Sequence, residues 1–368
     1  MIRHPLQDGA LTETEIHEAD TGDSGVVIAI CARDEAVEIG ATLDTVATAI
    51  AADPAACAVL LVNNSSDDTR RLASSHLLAR RGALFVREVT LLPDFAHAGG
   101  ARRAAGIWAR EVAGADGLIL FTDADSRPAL DWVRAMRAGL ADADVVCGRV
   151  LLPDDAFAGR PPEVEQRMAV EGEYLALTRR YLDLIDPDPL NPEPHHNCRS
   201  GCNMGMTARA WDAIGGVPAI PVGEDRATVA AAEAAGLRVR LLDGPAVLTS
   251  ARRVGRAPGG MADALAMQDA DRDPRLDEQC MPPETLRRRA ELHARLRAEG
   301  VGAWLAAHGV GADMIASLAG FPAGRAWQRL ENLDSLTPQR LTTSTARAAL
   351  PRLRALVAET ERRKGRTP

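Results

Sequence analysis

The sequence predicts an α/β protein: a mostly parallel wound sheet with helices on both faces, plus a C-terminal helical appendage. Two observations carry the wound sheet. Between residues 25 and 150, short runs of Val, Ile, Leu and Ala alternate about five times with segments whose apolar residues recur every three or four positions. That alternation belongs to strands joined by crossover helices. Polar and charged clusters also stand where the apolar runs stop, at the rim where such sheets bind ligands.

Residues 1–23 are polar and acidic, lack the apolar core of a secretion signal, and read as a tail. The first strand, VVIAICA, ends in Arg33-Asp34-Glu35, and the helix after it presents Ile39, Leu43, Val46 and Ile50 on one face. A second strand over 58–62 runs into Asn63-Asn64-Ser65-Ser66-Asp67-Asp68, a turn and helix-start cluster. A third is expected over 83–89, and Gly99-Gly100-Ala101-Arg102-Arg103 then opens a helix to about Val112. The run LILFTDADS over 118–126 carries Asp123 and Asp125 to the end of a buried strand. A helix over 129–140 and a strand over 144–150 complete this half.

The second half begins with Pro153, Pro161 and Pro162, then a helix over about 163–184. An irregular loop follows over 186–206, then a short helix over 208–214 ending at Gly215-Gly216. Glu224-Asp225 opens a helix to about Ala235, and a strand is expected over 238–242. Beyond Arg252 and Arg253 the chain is rich in Ala, Arg and Leu and reads as helical, with breaks near Pro282-Pro283, Gly300 and Pro322.

Composition narrows the function classes. The chain has 368 residues, 46% hydrophobic and 26% charged, with a formal net charge of −8. That balance argues against a nucleic-acid partner. Lys364 is the only lysine, which excludes an internal Schiff-base lysine and the phosphate-loop lysine of GxxxxGK[ST] proteins. No window holds eighteen uncharged apolar residues, so no membrane span is expected and the protein reads as cytoplasmic. Its six cysteines are then reduced.

Asp123 and Asp125 are separated by one residue, and carboxylates so close repel each other unless a positive group stands beside them. A hard divalent cation that also holds a phosphate supplies that charge. The plain alternative is an acidic turn. Arg33 with Glu35, Asn63 with Asn64, and Glu224 with Asp225 have ordinary helix-start or turn readings one at a time. Their order along the chain is the informative feature.

That order resembles the family 2 glycosyltransferases of GT-A fold, over about residues 25–257. Cys31-Ala32-Arg33-Asp34-Glu35 is similar to a PARNE-like motif, and Asn63 to Asp68 to a DDGSxD-like motif. Asp123-Ala124-Asp125 matches DxD, Ser200-Gly201-Cys202-Asn203 a GxN-like loop, and Glu224-Asp225 an ED pair. The resemblance implies a nucleotide-sugar-binding half over 24–150, an acceptor-binding half over 151–258 and a helical region over 259–368. It implies that Ala32, Arg33, Glu35, Asn63 and Asn64 hold the nucleoside and that Arg102 or Arg103 approaches the diphosphate. Asp123 and Asp125 would grip Mn²⁺ or Mg²⁺, and Asp225, or else Glu224, would be the base. Ser200, Gly201 and Asn203 would face the acceptor, and Arg252, Arg253 and Arg256 would add phosphate contacts.

Cys31 stands where the family has Pro, and Asn63-Asn64 where it has Asp-Asp, so UDP- and GDP-linked donors both stay open. The expected reaction is sugar transfer to an acceptor hydroxyl with inversion; a homodimer is left open. His195, His196, Cys198 and Cys202 offer zinc-type ligands, but as one loop without a second pair. Among rivals, a dehalogenase-type hydrolase wants DxD on its first strand, and an oxidoreductase needs GxGxxG there. A nucleotidyltransferase expects a Gly-rich loop after that strand, and a non-catalytic binding protein of degenerate transferase fold is supported only by the two asparagines.

Overall fold

The computed structural model describes residues 11–13, 25–51, 53–193, 195–296, 301–307, 309–331, 333 and 336–365. Most of the stretch read as a tail lies outside them. Its residues Leu11–Glu13 form the short strand β1, which pairs antiparallel with a later strand.

The apolar runs become strands for the reason the pattern suggests: a strand covered on both faces is apolar at nearly every position. β2 (Val26–Ala32) and β3 (Ala56–Asn63) are buried almost throughout. β4 (Leu84–Leu91) and β5 (Leu118–Asp123) follow, then the short β6 (Ser126–Pro128) and β7 (Val145–Leu151). β8 (Met204–Thr207) and the long β9 (Val239–Thr249) complete nine strands in the order β1-β4-β3-β2-β5-β8-β7-β9-β6.

Helices α1 (Ile39–Ala51), α2 (Thr69–Ser75), α3 (Leu77–Arg80), α4 (Ala98–Ala113) and α5 (Trp132–Asp142) intervene. α1 and α5 cover one face of the sheet, packing Ile39, Leu43, Val46, Trp132 and Met136 against Ile28, Ile30, Leu60 and Leu120. α4 covers the other, packing Ala101, Ala105 and Trp108 against Val27, Val59, Ile119 and Phe121. The wound, GT-A-like α/β sheet expected from the sequence is therefore present.

The sheet is less parallel than expected. β4, β3, β2 and β5 form a parallel block, and β7 pairs parallel with β9. β8 runs antiparallel between β5 and β7, and the two edge strands are antiparallel as well. The sequence placed residues 204–206 in a loop because four residues containing a buried Gly205, among Cys and Met, show no strand periodicity. Gly205 keeps that place open: a Cβ would come within 2.7 Å of the Leu120 side chain and push it aside.

The chain packs as two compact units. One gathers the residues up to Ala156 with His195–Ala232 and Leu237–Leu265; it contains the sheet. The other gathers Phe157–Pro194, Glu233–Gly236 and the chain from Ala266 onward. In the first, α7 (Ala208–Ile214) follows β8, and α8 (Glu224–Ala234) begins within it. α6 (Pro162–Ile185), which the sequence placed in the second half of the sheet domain, groups with the C-terminal helices.

After α9 (Met261–Ala270), that second unit continues through α10 (Pro283–Leu296), α11 (Val301–Ala307), α12 (Ala312–Ser317) and α13 (Ala323–Leu330) to α14 (Thr343–Arg363). Tyr174, Tyr181 and Leu184 of α6 pack with Leu286, Leu350 and Leu353, and the Tyr174 hydroxyl donates to the Met281 carbonyl at 2.7 Å. Thr342 and Thr345 close a reciprocal cap on α14.

One buried amide ties the second half of the sheet together. Asn203, in the 3-10 turn Gly201–Asn203, accepts from the Trp132 indole N–H at 2.7 Å. Its Nδ2 donates to the carbonyls of Arg149 at 2.7 Å and Pro245 at 2.8 Å, where β7 and β9 slip register. Expected on the acceptor side, Asn203 has every amide atom committed to the scaffold. Replacing it with Ala orphans a buried N–H and two carbonyls, and should lower unfolding free energy by about 3 kcal/mol in urea titrations.

Candidate active site

The carboxyl ends of β2 and β5, the 3-10 turn before β8 and the start of α8 meet around one buried guanidinium. His97 caps α4, its Nδ1 accepting from the Gly100 N–H at 3.1 Å. A Cβ on Gly99 would lie 2.1 Å from the Ile220 carbonyl oxygen, so the first turn of α4 can sit directly against the segment leading to α8. Arg102 thereby points inward and is 8% exposed. Its Nε donates to Glu224 Oε1 at 3.0 Å, its Nη1 to the Gly201 carbonyl at 2.8 Å, and its Nη2 lies 3.0 Å from Asp123 Oδ1.

Burial works against that charge, but Asp123, with Glu224 and Asp225 nearby, outweighs it and holds the guanidinium well above its usual pKa. Gly201 has to be glycine, since a Cβ would come within 2.5 Å of the Arg102 guanidinium carbon. Its N–H donates to Asp225 Oδ2 at 3.2 Å. Arg102 therefore joins Asp123, Glu224 and, through the residue Gly201, Asp225. Expected as a diphosphate contact, it is turned into the protein instead.

A second arginine closes the other side. Arg252 Nη1 and Nη2 donate to the two carboxylate oxygens of buried Glu35 at 2.7 and 2.6 Å, and Nη2 also lies 3.1 Å from Asp125 Oδ2. Glu35 thus meets a side chain 217 positions away. The Asp125 carboxyl is pushed up to about 6, by burial first and then by the negative charge of Asp123, with Arg252 acting in opposition. Asp123 is the more open of the two, its side chain 34% exposed against 14% for Asp125.

The loops after β2 and β3 are fastened to each other. Asp34 Oδ1 accepts from the Ser66 N–H at 2.7 Å, the Asp34 N–H donates to Ser65 Oγ at 3.0 Å, and the Glu35 N–H to Thr69 Oγ1 at 2.8 Å. Asp34 and Asn64 adopt positive φ values of 52° and 47°, a region that Asp and Asn enter more readily than most residues. Asn64 spends its amide on the Leu91 backbone, donating at 3.0 Å and accepting at 3.1 Å, so it extends the β3–β4 pairing. Asn63 differs: it is 3% exposed and its Oδ1 is buried without a hydrogen-bond partner. Ala32 is buried and Arg33 exposed at the same strand end. Burial raises the Cys31 thiol to about 12, so it stays neutral.

The remaining candidates sort by what they touch. Ser200 Oγ lies 3.3 Å from Cys202 Sγ. Arg103 donates to the carbonyls of Gly215 and Val217, each at 2.8 Å, and so holds the Gly-Gly turn. Arg253 donates to the carbonyls of Ala251 and Ala156, and Arg256 to that of Asp34 at 2.9 Å. His196 is buried with Nε2 on the Leu242 carbonyl at 3.0 Å and Nδ1 accepting from the Cys198 N–H at 3.1 Å. That ring is committed, burial lowers its pKa, and among the described residues no His, Cys, Asp or Glu group is arranged to hold a metal by itself. Sequence reasoning missed the inward turn of Arg102 and the clamp of Arg252 on Glu35. Both link residues too distant in the chain for any spacing rule.

No family model matches the chain, and no curated protein matches its sequence. Among solved structures, it is similar to residues 1–349 of S. aureus TarS in complex with UDP-GlcNAc, at 13% identity and TM-score 0.47, over 93% of this chain and 92% of that one. It is also similar to the mannosyltransferase PcManGT of Pyrobaculum calidifontis in complex with GDP-Man and Mn²⁺, at 18% identity and TM-score 0.44, over 93% and 90%. A third is glucosyl-3-phosphoglycerate synthase of Mycobacterium tuberculosis with Mn²⁺, UDP and phosphoglyceric acid, at 15% identity and TM-score 0.36, over 68% and 78%. At such identities none of them transfers a residue role to this chain.

The pairing of Arg102 with Glu224 sets a stability test. Arg102→Met leaves Glu224 buried with its partner gone and should cost about 3–5 kcal/mol. Adding Glu224→Gln should recover a measurable part of that loss in urea denaturation.

Proposed function

We propose that the chain is a metal-dependent glycosyltransferase that moves a sugar from a nucleoside-diphosphate donor to an acceptor hydroxyl. One observation carries the reading: buried Arg102 and partly buried Arg252 hold Asp123 and Asp125 at the end of β5, and Gly201, whose carbonyl Arg102 binds, orients Asp225 through its N–H. A purely structural acidic turn has no use for two arginines turned onto its carboxylates.

The carboxylates suit a divalent cation. They are hard oxygen donors, and Asp125 carries a raised pKa because Asp123 and burial disfavour its charge. Asp123 and Asp125 would hold Mn²⁺ or Mg²⁺ in the manner of sites that leave further positions for phosphate oxygens and water. Bound there, the ion supplies neutralising charge to the leaving diphosphate. Asn63 supports a nucleobase at the end of β3: its buried Oδ1 can accept a ring N–H, which uracil and guanine both offer. UDP- and GDP-linked sugars therefore both suit the site. Exposed Arg33 lies at the neighbouring strand end, and Ala32 and Glu35 shape that loop.

Asp225 is the better general base. Glu224 is 6% exposed and bound to Arg102, whereas Asp225 is more open and oriented by the Gly201 amide. In the proposed single displacement, Asp225 takes the acceptor hydroxyl proton as that oxygen attacks the anomeric carbon. The bond to the diphosphate oxygen breaks on the opposite side, inverting configuration. Ser200 and the Gly201 backbone border the acceptor side. Among the described residues no helix is long and apolar enough to cross a membrane, and the acceptor we envisage is met in the cytoplasm.

Two substitutions separate binding from chemistry. In calorimetry, Asp125→Ala should abolish the Mn²⁺-dependent part of UDP or GDP affinity; unchanged affinity would remove Asp125 from the cation site. Asp225→Asn should leave nucleotide binding intact while Mn²⁺-dependent donor turnover falls ~10²-fold or more. Lost binding would instead place Asp225 among the donor contacts.

A further inference from the structure

The clamp on Asp125 has a consequence for how a cation can enter. Arg252 is placed firmly. Ser126 Oγ donates to Thr249 Oγ1 at 3.0 Å where β6 pairs with β9, and the Ser250 N–H donates to the Asp125 carbonyl at 3.2 Å. Two residues later the guanidinium takes both oxygens of Glu35 and reaches Asp125 Oδ2 with the same Nη2. Four residues beyond, Arg256 holds the Asp34 carbonyl. The segment after β9 is thus fastened to the β2–α1 loop by two arginines. One of them, Arg252, also neutralises a carboxylate that a metal would need.

A divalent ion bonds a carboxylate oxygen at roughly 2.1–2.6 Å and seeks its full negative charge. A guanidinium 3.1 Å from the same carboxylate already answers that charge, and the two cations repel across a short, partly dry distance. Glu35 cannot serve in place of Asp125, because both its oxygens are taken by Arg252. A diphosphate changes the balance, since its oxygens offer the guanidinium an equivalent fork-shaped partner.

We infer that Arg252 is the resident counter-charge of the site: it competes with the divalent cation for Asp125, and yields that carboxylate to the ion when a nucleoside diphosphate arrives to receive the Nη2 hydrogen now directed at Asp125. Throughout, the bidentate hold on Glu35 keeps Arg252 in place, which makes Glu35 a positioning residue for this arginine. The cation alone then binds weakly, and cation and nucleotide bind with strong mutual support. The inference rests on the proposed role of Asp123 and Asp125 as cation ligands.

The test is Mn²⁺ binding followed by electron paramagnetic resonance, without acceptor and without turnover. Arg252→Gln should tighten Mn²⁺ binding to the nucleotide-free protein about tenfold and should shrink the further gain produced by UDP or GDP. The double variant Glu35→Gln with Arg252→Gln keeps the net charge of the wild-type cluster. It should still bind Mn²⁺ more tightly than wild type, since the competitor is gone. A double variant that returns to wild-type affinity overturns the inference, because the single variant then acted only through the charge freed on Glu35. Unchanged or weaker Mn²⁺ binding in Arg252→Gln, with nucleotide-supported binding intact in wild type, also overturns it while leaving the cation site standing. Failure of wild type and every variant to bind Mn²⁺, with or without UDP or GDP, overturns the cation site and this inference together.

Discussion

The buried guanidinium of Arg102 is the contact on which the arrangement of this rim depends. It enters from the second turn of α4, reaches Asp123 at the end of β5, Glu224 at the start of α8 and the carbonyl of Gly201 beside β8. The β5–β8 pairing brings the end of β5 and the Gly201 turn together, but no sheet pairing fixes α4 or α8 against them. A planar donor fork satisfied on three sides does so. Glycine is required at Gly99 and Gly201 for the same reason: one lets α4 approach the segment before α8, the other leaves room for the guanidinium.

Buried ion pairs of this kind contribute little net stability, because the desolvation of each charge offsets most of the attraction. Their value lies in direction. Arg102 holds Asp123 and the Glu224-Asp225 turn from one side, and Arg252 holds Glu35 and Asp125 from the other. The acidic residues stay close together without a cation of their own choosing, yet Asp125 remains pushed up to about 6 by burial and by Asp123. The two arginines answer part of the charge of Asp123 and Asp125, and the proposed cation site rests on the remainder.

Much of this was legible in the amino-acid order. Strands buried on both faces are apolar throughout, so VVIAICA and LILFTD could be placed, and with them the residues at their carboxyl ends. β8 was not legible, because four residues around a glycine carry no period. Partner choice was also invisible. Asn63 and Asn64 look equivalent in sequence, yet Asn64 is absorbed into the β3–β4 ladder while Asn63 keeps a buried acceptor without a partner. Arg102 meets Glu224 across 122 positions and Asn203 meets Trp132 across 71. Such contacts arise only once the sheet order is set, so a motif names the residue without revealing whether it faces the ligand or the scaffold.

The central claim is that Asp123 and Asp125 hold a cation against a nucleoside diphosphate whose base lies at Asn63. Anomalous scattering at the manganese edge, from crystals grown with Mn²⁺ and UDP or GDP, tests it most directly. A single strong peak is expected beside the Asp123 and Asp125 carboxylates, shared with diphosphate oxygens, and a base ring N–H directed at Asn63 Oδ1. A nucleotide bound away from the ends of β3 and β5, or manganese at any other carboxylate cluster, would contradict it.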